Sequence, residues 1–269
     1  MEKIQILLTN DDGIDSPGLW AAAAALSELG YVNVVAPRQQ CSGAGRSLPG
    51  TSDGIIRRQE LTINGGNTWP VYAVGGTPAQ AVLHALIEIL PEPPAIVVSG
   101  INYGENVGSG VTISGTVGAA LEAASMGFPS LAVSLQTDVE HHLSNSASVD
   151  FSTAGFFAKY FARLILERRF PTDVDVLKVE VPAGATPETP WEVTRISRKR
   201  YYYPVAPERA AWDVPGALGY RLGDDVADDR NDTDAYAIRY KRVVSVSPLS
   251  LDLTSRVDLA EFEKLLRFC

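Results

Sequence analysis

The strongest constraint on the fold lies in the first 37 residues, where two apolar runs bracket a turn and an alanine-rich stretch. Residues 4–8, Ile-Gln-Ile-Leu-Leu, read as a short strand and pass into the turn-forming Thr-Asn-Asp-Asp-Gly of residues 9–13. Pro17-Gly18 then opens a helical segment to Leu29, with Ser16 placed as its N-cap. Val32 to Ala36 is a second apolar strand, stopped by Pro37. A strand, loop, helix and strand within roughly 35 residues is the unit from which parallel α/β sheets are built.

The rhythm continues. Val71–Val74, Ala95–Ser99 and Ser130–Leu135 read as strands, and Pro78–Leu90, Ser114–Met126 and Phe151–Phe170 as helices. Residues 38–68 interrupt it with Gly, Ser, Thr, Asn and Arg, as expected of a long functional loop carrying a β-hairpin. Beyond Val176 the texture turns to short β-prone pieces (176–181, 191–196, 236–246), a loop-like stretch 204–235, and an amphipathic helix over 257–268. The expected organisation is an α/β catalytic core, 1–180, followed by a β-rich extension and C-terminal arm, 181–269.

Composition removes several function classes. Apolar residues make up 45% of the 269 and charged residues 20%, which is ordinary for a globular chain. No apolar run approaches the ~20 residues that span a bilayer, and the N-terminus lacks the apolar core of a signal peptide, so a cytoplasmic location with no membrane partner is expected. Cys41 and Cys269 are too few for a disulfide framework or a zinc knuckle. The net charge is −9, and residues 1–140 hold 13 acidic against 5 basic residues. Such a chain is a poor clamp for a nucleic-acid polymer, whose affinity comes from Lys and Arg on phosphates. It can still handle phosphate where carboxylates hold a divalent cation.

Polar residues collect where the core strands end, which is where open α/β sheets bind ligands. The first strand delivers Asn10-Asp11-Asp12-Gly13, the second leads into Ser42-Gly43-Ala44, and the strand at 95–99 delivers Ser99-Gly100-Ile101-Asn102. Two adjacent carboxylates without a counter-charge push one pKa upward, and a bound cation removes the conflict. Asp11, Asp12, Ser42 and Asn102 form an oxygen-only set suited to Mg²⁺, Mn²⁺ or Ca²⁺. Ser114-Gly115-Thr116 stands at a helix N-terminus, where hydroxyls and backbone N–H groups favour an anion. With Asn10 and Gly43, these residues are the candidate phosphate contacts. Taken singly, Asn-Asp-Asp-Gly reads as a turn and Ser114 as a plain N-cap; their coincidence at several strand ends supports a site.

Other motifs fail on inspection: the chain has no Gly-Lys dipeptide for a P-loop and no G-x-S-x-G elbow. His141 and His142 are expected to be solvated, and Arg198-Lys-Arg-Tyr-Tyr-Tyr203 to be a solvated strand face or subunit contact rather than a base-stacking element.

Read together, these blocks resemble the SurE family, the stationary-phase survival nucleotidases. The resemblance rests on Ile6-Leu-Leu-Thr-Asn-Asp-Asp-Gly-Ile14 with Ser16-Pro17-Gly18, Val35-Ala-Pro37, Ser42-Gly-Ala44 and Gly76-Thr-Pro78. It continues through Val98-Ser-Gly-Ile-Asn-Tyr-Gly-Glu-Asn106, Ser114-Gly-Thr116, Thr233-Asp234, Val244-Ser-Val-Ser-Pro-Leu249 and Asp252-Leu-Thr254. It implies a Rossmann-like, three-layer α/β core with a mostly parallel sheet and a β-hairpin-rich extension. It further implies a metal-dependent phosphomonoesterase acting on nucleoside 5′- and 3′-monophosphates, with one divalent cation per subunit on Asp11, Asp12, Ser42 and Asn102. Family members are dimers or tetramers, commonly exchanging C-terminal segments, and 204–269 suits such an arm. The chain departs from the pattern at Val179-Glu-Val-Pro182 and in the Ala-Gln-Ala after Pro78.

The expected chemistry is hydrolysis by direct water attack, with Asp11 and Asp12 as the catalytic pair and Asp11 accepting the water's proton. The spacing lacks the Asp-x-Asp of an aspartyl-phosphate enzyme. Two alternatives stand beside this one: a broad-specificity acid phosphatase or exopolyphosphatase, and a non-catalytic nucleotide-binding member of the same fold.

Overall fold

The computed structural model describes residues 4–63, 67–223 and 227–267. Its spine is a sheet of nine strands, ordered β3-β4-β2-β1-β5-β6-β7-β11-β8. The strands are β1 (Gln5–Thr9), β2 (Tyr31–Pro37), β3 (Ile56–Ile63), β4 (Asn67–Val74), β5 (Ile96–Tyr103), β6 (Ser130–Leu135), β7 (Val176–Val181), β8 (Trp191–Val193) and β11 (Val244–Leu249). From β4 through β7 every neighbouring pair is parallel, while β3 and β11 add antiparallel pairings near the two edges. A separate two-stranded antiparallel ribbon joins β9 (Tyr202–Val205) to β10 (Gly219–Leu222).

The central strands are predominantly apolar because both faces are covered, with polar residues mostly toward their ends. On one face Ile6, Leu8, Val34, Ile96 and Val98 pack against α1 (Pro17–Leu26) and α4 (Ser152–Glu167) through Leu19, Leu26, Phe157 and Phe161. On the other, Leu7, Val35 and Val97 meet α2 (Pro78–His84) and α3 (Gly115–Ser125) through Ala81, Val82, Ala119 and Ala123. This is the three-layer α/β architecture. The chain winds outward from β1 in one direction through β2 and β4, then returns to β5 and winds the other way. The crevice between β1 and β5 is therefore the switch point of the sheet, and the loops leaving both strands diverge around it.

Of the hairpin expected within 38–68 only one strand, β3, lies wholly there; it pairs antiparallel with β4, which contains the strand expected over 71–74, on one sheet edge. Residues 204–235, expected to be loop-like, contain part of the β9–β10 ribbon. The strand expected over 236–246 is displaced. Residues 234–241 are helical, as α5 (Asp234–Tyr236) and a π turn (Ala237–Lys241), and the strand starts only at Val244. The Thr233 side chain accepts a hydrogen bond from Tyr236 N, and Arg242 at φ 55 ends the turn. The aromatic and β-branched residues there resemble a strand, but Ala235, Ala237 and Ile238 are buried as one face of a helical turn. The C-terminal amphipathic helix is α6 (Leu259–Arg267). Cys269 and the last residue of the expected helix, Phe268, lie outside the described residues. No described helix is long and apolar enough to cross a membrane.

Candidate functional site

The loop leaving β1 is closed by Asn10. Its Nδ2 donates to Gly13 O at 3.0 Å, and Gly13 N donates back to its Oδ1 at 3.2 Å. Gly13 sits at φ +94, a conformation that L side chains resist. Asn10 is fully buried, and its polar atoms hold this turn. The turn presents Asp11 and Asp12, which are only 4% and 2% exposed. Asp11 Oδ1 accepts the Thr116 hydroxyl proton at 2.5 Å. Gly115 is what allows the start of α3 to approach, since a Cβ there would stand 2.8 Å from Asp11 Oδ2. Gly115 and Thr116 therefore hold the Asp11 carboxylate, whereas Ser114, with its Oγ accepting from Val117 N at 3.1 Å, faces a cavity.

Asp12 is fixed from two sides. Gln40 Nε2 donates to its Oδ1 at 2.9 Å, and the Tyr103 backbone N–H donates to its Oδ2 at 3.2 Å. Asn102 directs both amide hydrogens into its own loop, with Nδ2 donating to Tyr103 O at 3.0 Å and Gly104 O at 2.6 Å. That leaves its carbonyl oxygen as the atom able to serve a ligand. The loop bearing Ser42 and Gly43 is tied down by Cys41 N donating to Asp11 O at 2.7 Å.

Asp11, Ser42, Gly43, Asn102 and Ser114 line one cavity of about 650 Å³. The same cavity has an aromatic wall, in which His142, Tyr201, Tyr202 and Tyr220 pack ring against ring. Of the residues expected from sequence, Asn10, Asp12, Gly115 and Thr116 stand behind this wall and act on those that face it.

Burial dominates the electrostatics. It raises the Asp11 pKa above the usual carboxylate range, against the lowering effect of the Thr116 hydrogen bond. Burial and then the Asp11 charge push Asp12 up to about 8. Among the described residues neither aspartate belongs to an ion pair, so the two charges have no cationic side chain opposite them. The carboxylates cannot both ionise cheaply unless a cation joins them.

Two residue groups differ from their sequence expectations. His142 is 9% exposed rather than solvated, because its ring lies against Gly104. A Cβ on Gly104 would meet His142 Nε2 at 2.4 Å. Burial lowers the His142 pKa. Within 198–203, Tyr201 is 1% exposed and forms cavity wall with Arg200 and Tyr202, so this stretch is not simply a solvated face. Gln40, Glu105 and Tyr220 were given no role by sequence reasoning, although Glu105 lies in the Val98–Asn106 block. The only available signal was the nearness of Gln40 to Ser42 and of Glu105 to Asn102; nothing local tells that Tyr220 folds back over the site. Elsewhere, Asp138, Glu140 and His141 can bring one ligand atom each within 4.8 Å of one another, an exposed to half-exposed group that could hold a metal ion.

Comparison with known proteins extends this picture. The model of the family described as survival protein SurE matches residues 6–203. The 5′-nucleotidase SurE of Thermococcus gammatolerans is 45% identical over 97% of this chain and 94% of that protein. The protein of the same name from Archaeoglobus fulgidus is 42% identical over 95% of this chain and 94% of its own length. The crystal structure of the SurE protein from Aquifex aeolicus superposes with a TM-score of 0.74 at 31% identity, covering 97% of this chain and 99% of that one. With the paired aspartates, the asparagine of β5 and the Ser-Gly-Thr start of α3 gathered at the switch point of the sheet, the chain belongs to the SurE family.

Proposed function

We propose that the chain is a metal-dependent 5′-nucleotidase, a phosphomonoesterase that converts nucleoside 5′- and 3′-monophosphates to nucleoside and phosphate. The observation that supports it best is the buried, uncompensated Asp11–Asp12 pair, of which Asp11 lines, with Asn102 and Ser42, a cavity that is also walled by tyrosines. Relatives at 38–45% identity bear the name 5′-nucleotidase SurE. The volume falls within the ~300–1,000 Å³ usual for small-ligand sites.

The donor set fits a hard divalent cation such as Mg²⁺ or Mn²⁺, one per subunit. It is all oxygen, carries two carboxylates with no cationic side chain opposite, and includes an amide whose N–H groups are already engaged elsewhere. Asp11, Asp12, Ser42 and Asn102 would hold the ion, which when bound neutralises phosphoryl charge and acidifies water. The chain supplies the rest. Asp11 Oδ2 takes the proton from the attacking water, while Thr116 fixes the same carboxylate through Oδ1. Ser114 and Gly43 line the cavity, and the Ser114 hydroxyl and the Gly43 backbone N–H would take the phosphoryl oxygens. Gly115 and Thr116 contribute by positioning Asp11, and Asn10 by closing the turn.

The active unit we propose is a homodimer or homotetramer held partly by the C-terminal arm, in the cytoplasm, where the free Cys41 thiol stays reduced. The catalytic core would be residues 1–180, with 181–269 appended, although β8 and β11 from the second part extend the same sheet. The test is phosphate release from nucleoside 5′- and 3′-monophosphates and from p-nitrophenyl phosphate, with Mn²⁺ and with excess chelator. The reading expects metal-dependent release favouring nucleotides. Equal or better use of the aryl phosphate would replace it with a general phosphatase, and no release from any of these substrates with Mn²⁺ would leave a binding protein.

A further inference from the structure

The aromatic wall of the cavity carries two groups that the hydrolysis described above does not use. Glu105 lines the cavity, is 5% exposed, and its Oε2 is buried without a hydrogen-bond partner. Its other oxygen, Oε1, accepts from Gln136 Nε2 at 3.3 Å, so the head group is held on one side. The Tyr201 hydroxyl, on a residue 1% exposed in the same wall, and the Tyr202 hydroxyl both lie beside the Glu105 carboxylate, yet neither Tyr201 nor Glu105 Oε2 closes a hydrogen bond of good geometry. Buried polar atoms are nearly always satisfied, and a carboxylate oxygen held this loosely in a ligand cavity calls for an occupant.

Around them stand planar surfaces. The Tyr202 and Tyr220 rings lie 5.6 Å apart at 74° to each other. A flat ring laid on one therefore meets the edge of the other. His142 fixes this corner: Tyr220 lies 3.1 Å from its Nδ1, and the Thr137 carbonyl 3.3 Å from its Nε2. With Nε2–H donating to that carbonyl, Nδ1 accepts from the Tyr220 hydroxyl. Glu105 follows Asn102 by three residues, so the segment that supplies Asn102 to the cavity also supplies this carboxylate.

A carboxylate offers only acceptors, so it selects an edge rich in N–H donors. Among nucleobases, guanine presents two parallel donors, N1–H and N2–H, as a carboxylate requires. Hypoxanthine presents one, and adenine places an acceptor at N1. We infer that the aromatic wall is a nucleobase subsite in which Tyr202 and Tyr220 hold the ring while Glu105 selects guanine over adenine. The inference rests on the nucleotidase reading for its choice of ligand class. The energetic reason is the asymmetry of buried hydrogen bonds: adenine would set its N1 lone pair against the carboxylate, leaving both unpaired.

The test is calorimetric binding of the nucleosides guanosine, inosine and adenosine to the full-length protein, which needs no turnover. The expected result is guanosine about 10-fold tighter than adenosine, with inosine between them. In Glu105→Gln the guanosine-to-adenosine ratio should fall below about 3-fold. In Tyr220→Ala both nucleosides should weaken together by about 10-fold, leaving their ratio in place. Because the ratio is internal to one preparation, partial misfolding of a variant does not imitate the result. Equal affinity for guanosine and adenosine in the unmodified protein, or a ratio that survives Glu105→Gln, would overturn the subsite. Phosphate release measured in parallel separates the two ideas. Nucleotide hydrolysis without base discrimination removes the subsite alone, and selective guanosine binding without hydrolysis removes the nucleotidase reading alone.

Discussion

Thr116 shows how much of this site depends on residues that do not face the cavity. Its hydroxyl donates to Asp11 Oδ1, so Thr116→Val, which keeps the shape and deletes the donor, frees the Asp11 carboxylate to rotate. Losing a hydrogen bond to a charged group is worth about 1.5–3 kcal/mol. We expect kcat for a nucleotide to fall about 10- to 100-fold with little change in KM, measured by steady-state phosphate release. Asp12 adds a pH signature. Its carboxyl is raised from 3.8 to about 8 by burial and by Asp11. A group whose folded pKa lies above its unfolded one contributes stability that is complete below the unfolded value and is lost as pH rises through the folded one. In chelator, the melting temperature of Asp12→Asn should therefore match the unmodified protein near pH 4 and exceed it increasingly toward pH 8. Parallel melting curves across that range would show that the pair is not an uncompensated one.

Among the elements, the buried cluster under β7 has the clearest energetic consequence. Lys178 is fully buried, with Nζ 3.2 Å from Glu180 Oε1 and 3.1 Å from Asp234 Oδ2. It also donates to Asn106 O at 2.9 Å, while Asn106 N donates to Glu180 Oε2 at 2.9 Å and Gly108 N to Asp234 Oδ2 at 3.1 Å. The cluster anchors the cavity-lining segment after Asn102 to β7 and α5. Lys178→Met would leave two acids buried without a cation, and we expect a loss of about 3–5 kcal/mol in urea unfolding. A cost below about 1 kcal/mol would mean that the acids are neutral in the native state.

The elements also show what the sequence could and could not disclose. The parallel core was legible because strands buried on both faces read as short, mostly apolar runs, and because Ser16-Pro17 and Ser114 mark helix starts. Ser16 nonetheless makes no side-chain cap hydrogen bond, so its position was legible and its contact was not. The helix over 234–241 was hidden because aromatic and β-branched residues read alike in a strand and in a short buried turn. Asp11, Ser42 and Asn102 were findable since Asp11 and Ser42 lie in the loops leaving β1 and β2 and Asn102 at the end of β5. Tyr220 was not, because its place depends on the β9–β10 ribbon folding over a cavity whose other lining residues lie far from it in the sequence.

At the scale of the molecule, α6 lies outside the packed core. Leu259, Leu265 and Leu266 are 61%, 69% and 66% exposed, and Phe262 is 46% exposed. An amphipathic helix with its apolar face in water is unfavourable for an isolated subunit and suits contact with a second copy. Removing residues 257–269 should lower the molecular mass seen by light scattering by at least half while leaving the nine-stranded sheet, to which this segment contributes no strand, folded by circular dichroism. An unchanged mass would show that this segment carries no subunit contact.

The account stands or falls on the joint claim that Asp11, Asp12, Ser42 and Asn102 hold a cation and that this cation is needed to cleave a nucleotide phosphate. The most direct measurement is phosphate release from a nucleoside 5′-monophosphate by the unmodified protein and by Asn102→Ala, each with Mn²⁺ and with excess chelator. The account predicts turnover that chelator abolishes and Mn²⁺ restores, and a loss of about 100-fold or more in Asn102→Ala at equal Mn²⁺ while the variant keeps its circular dichroism spectrum. Full turnover in chelator, or an Asn102→Ala protein as active as the parent, would contradict it.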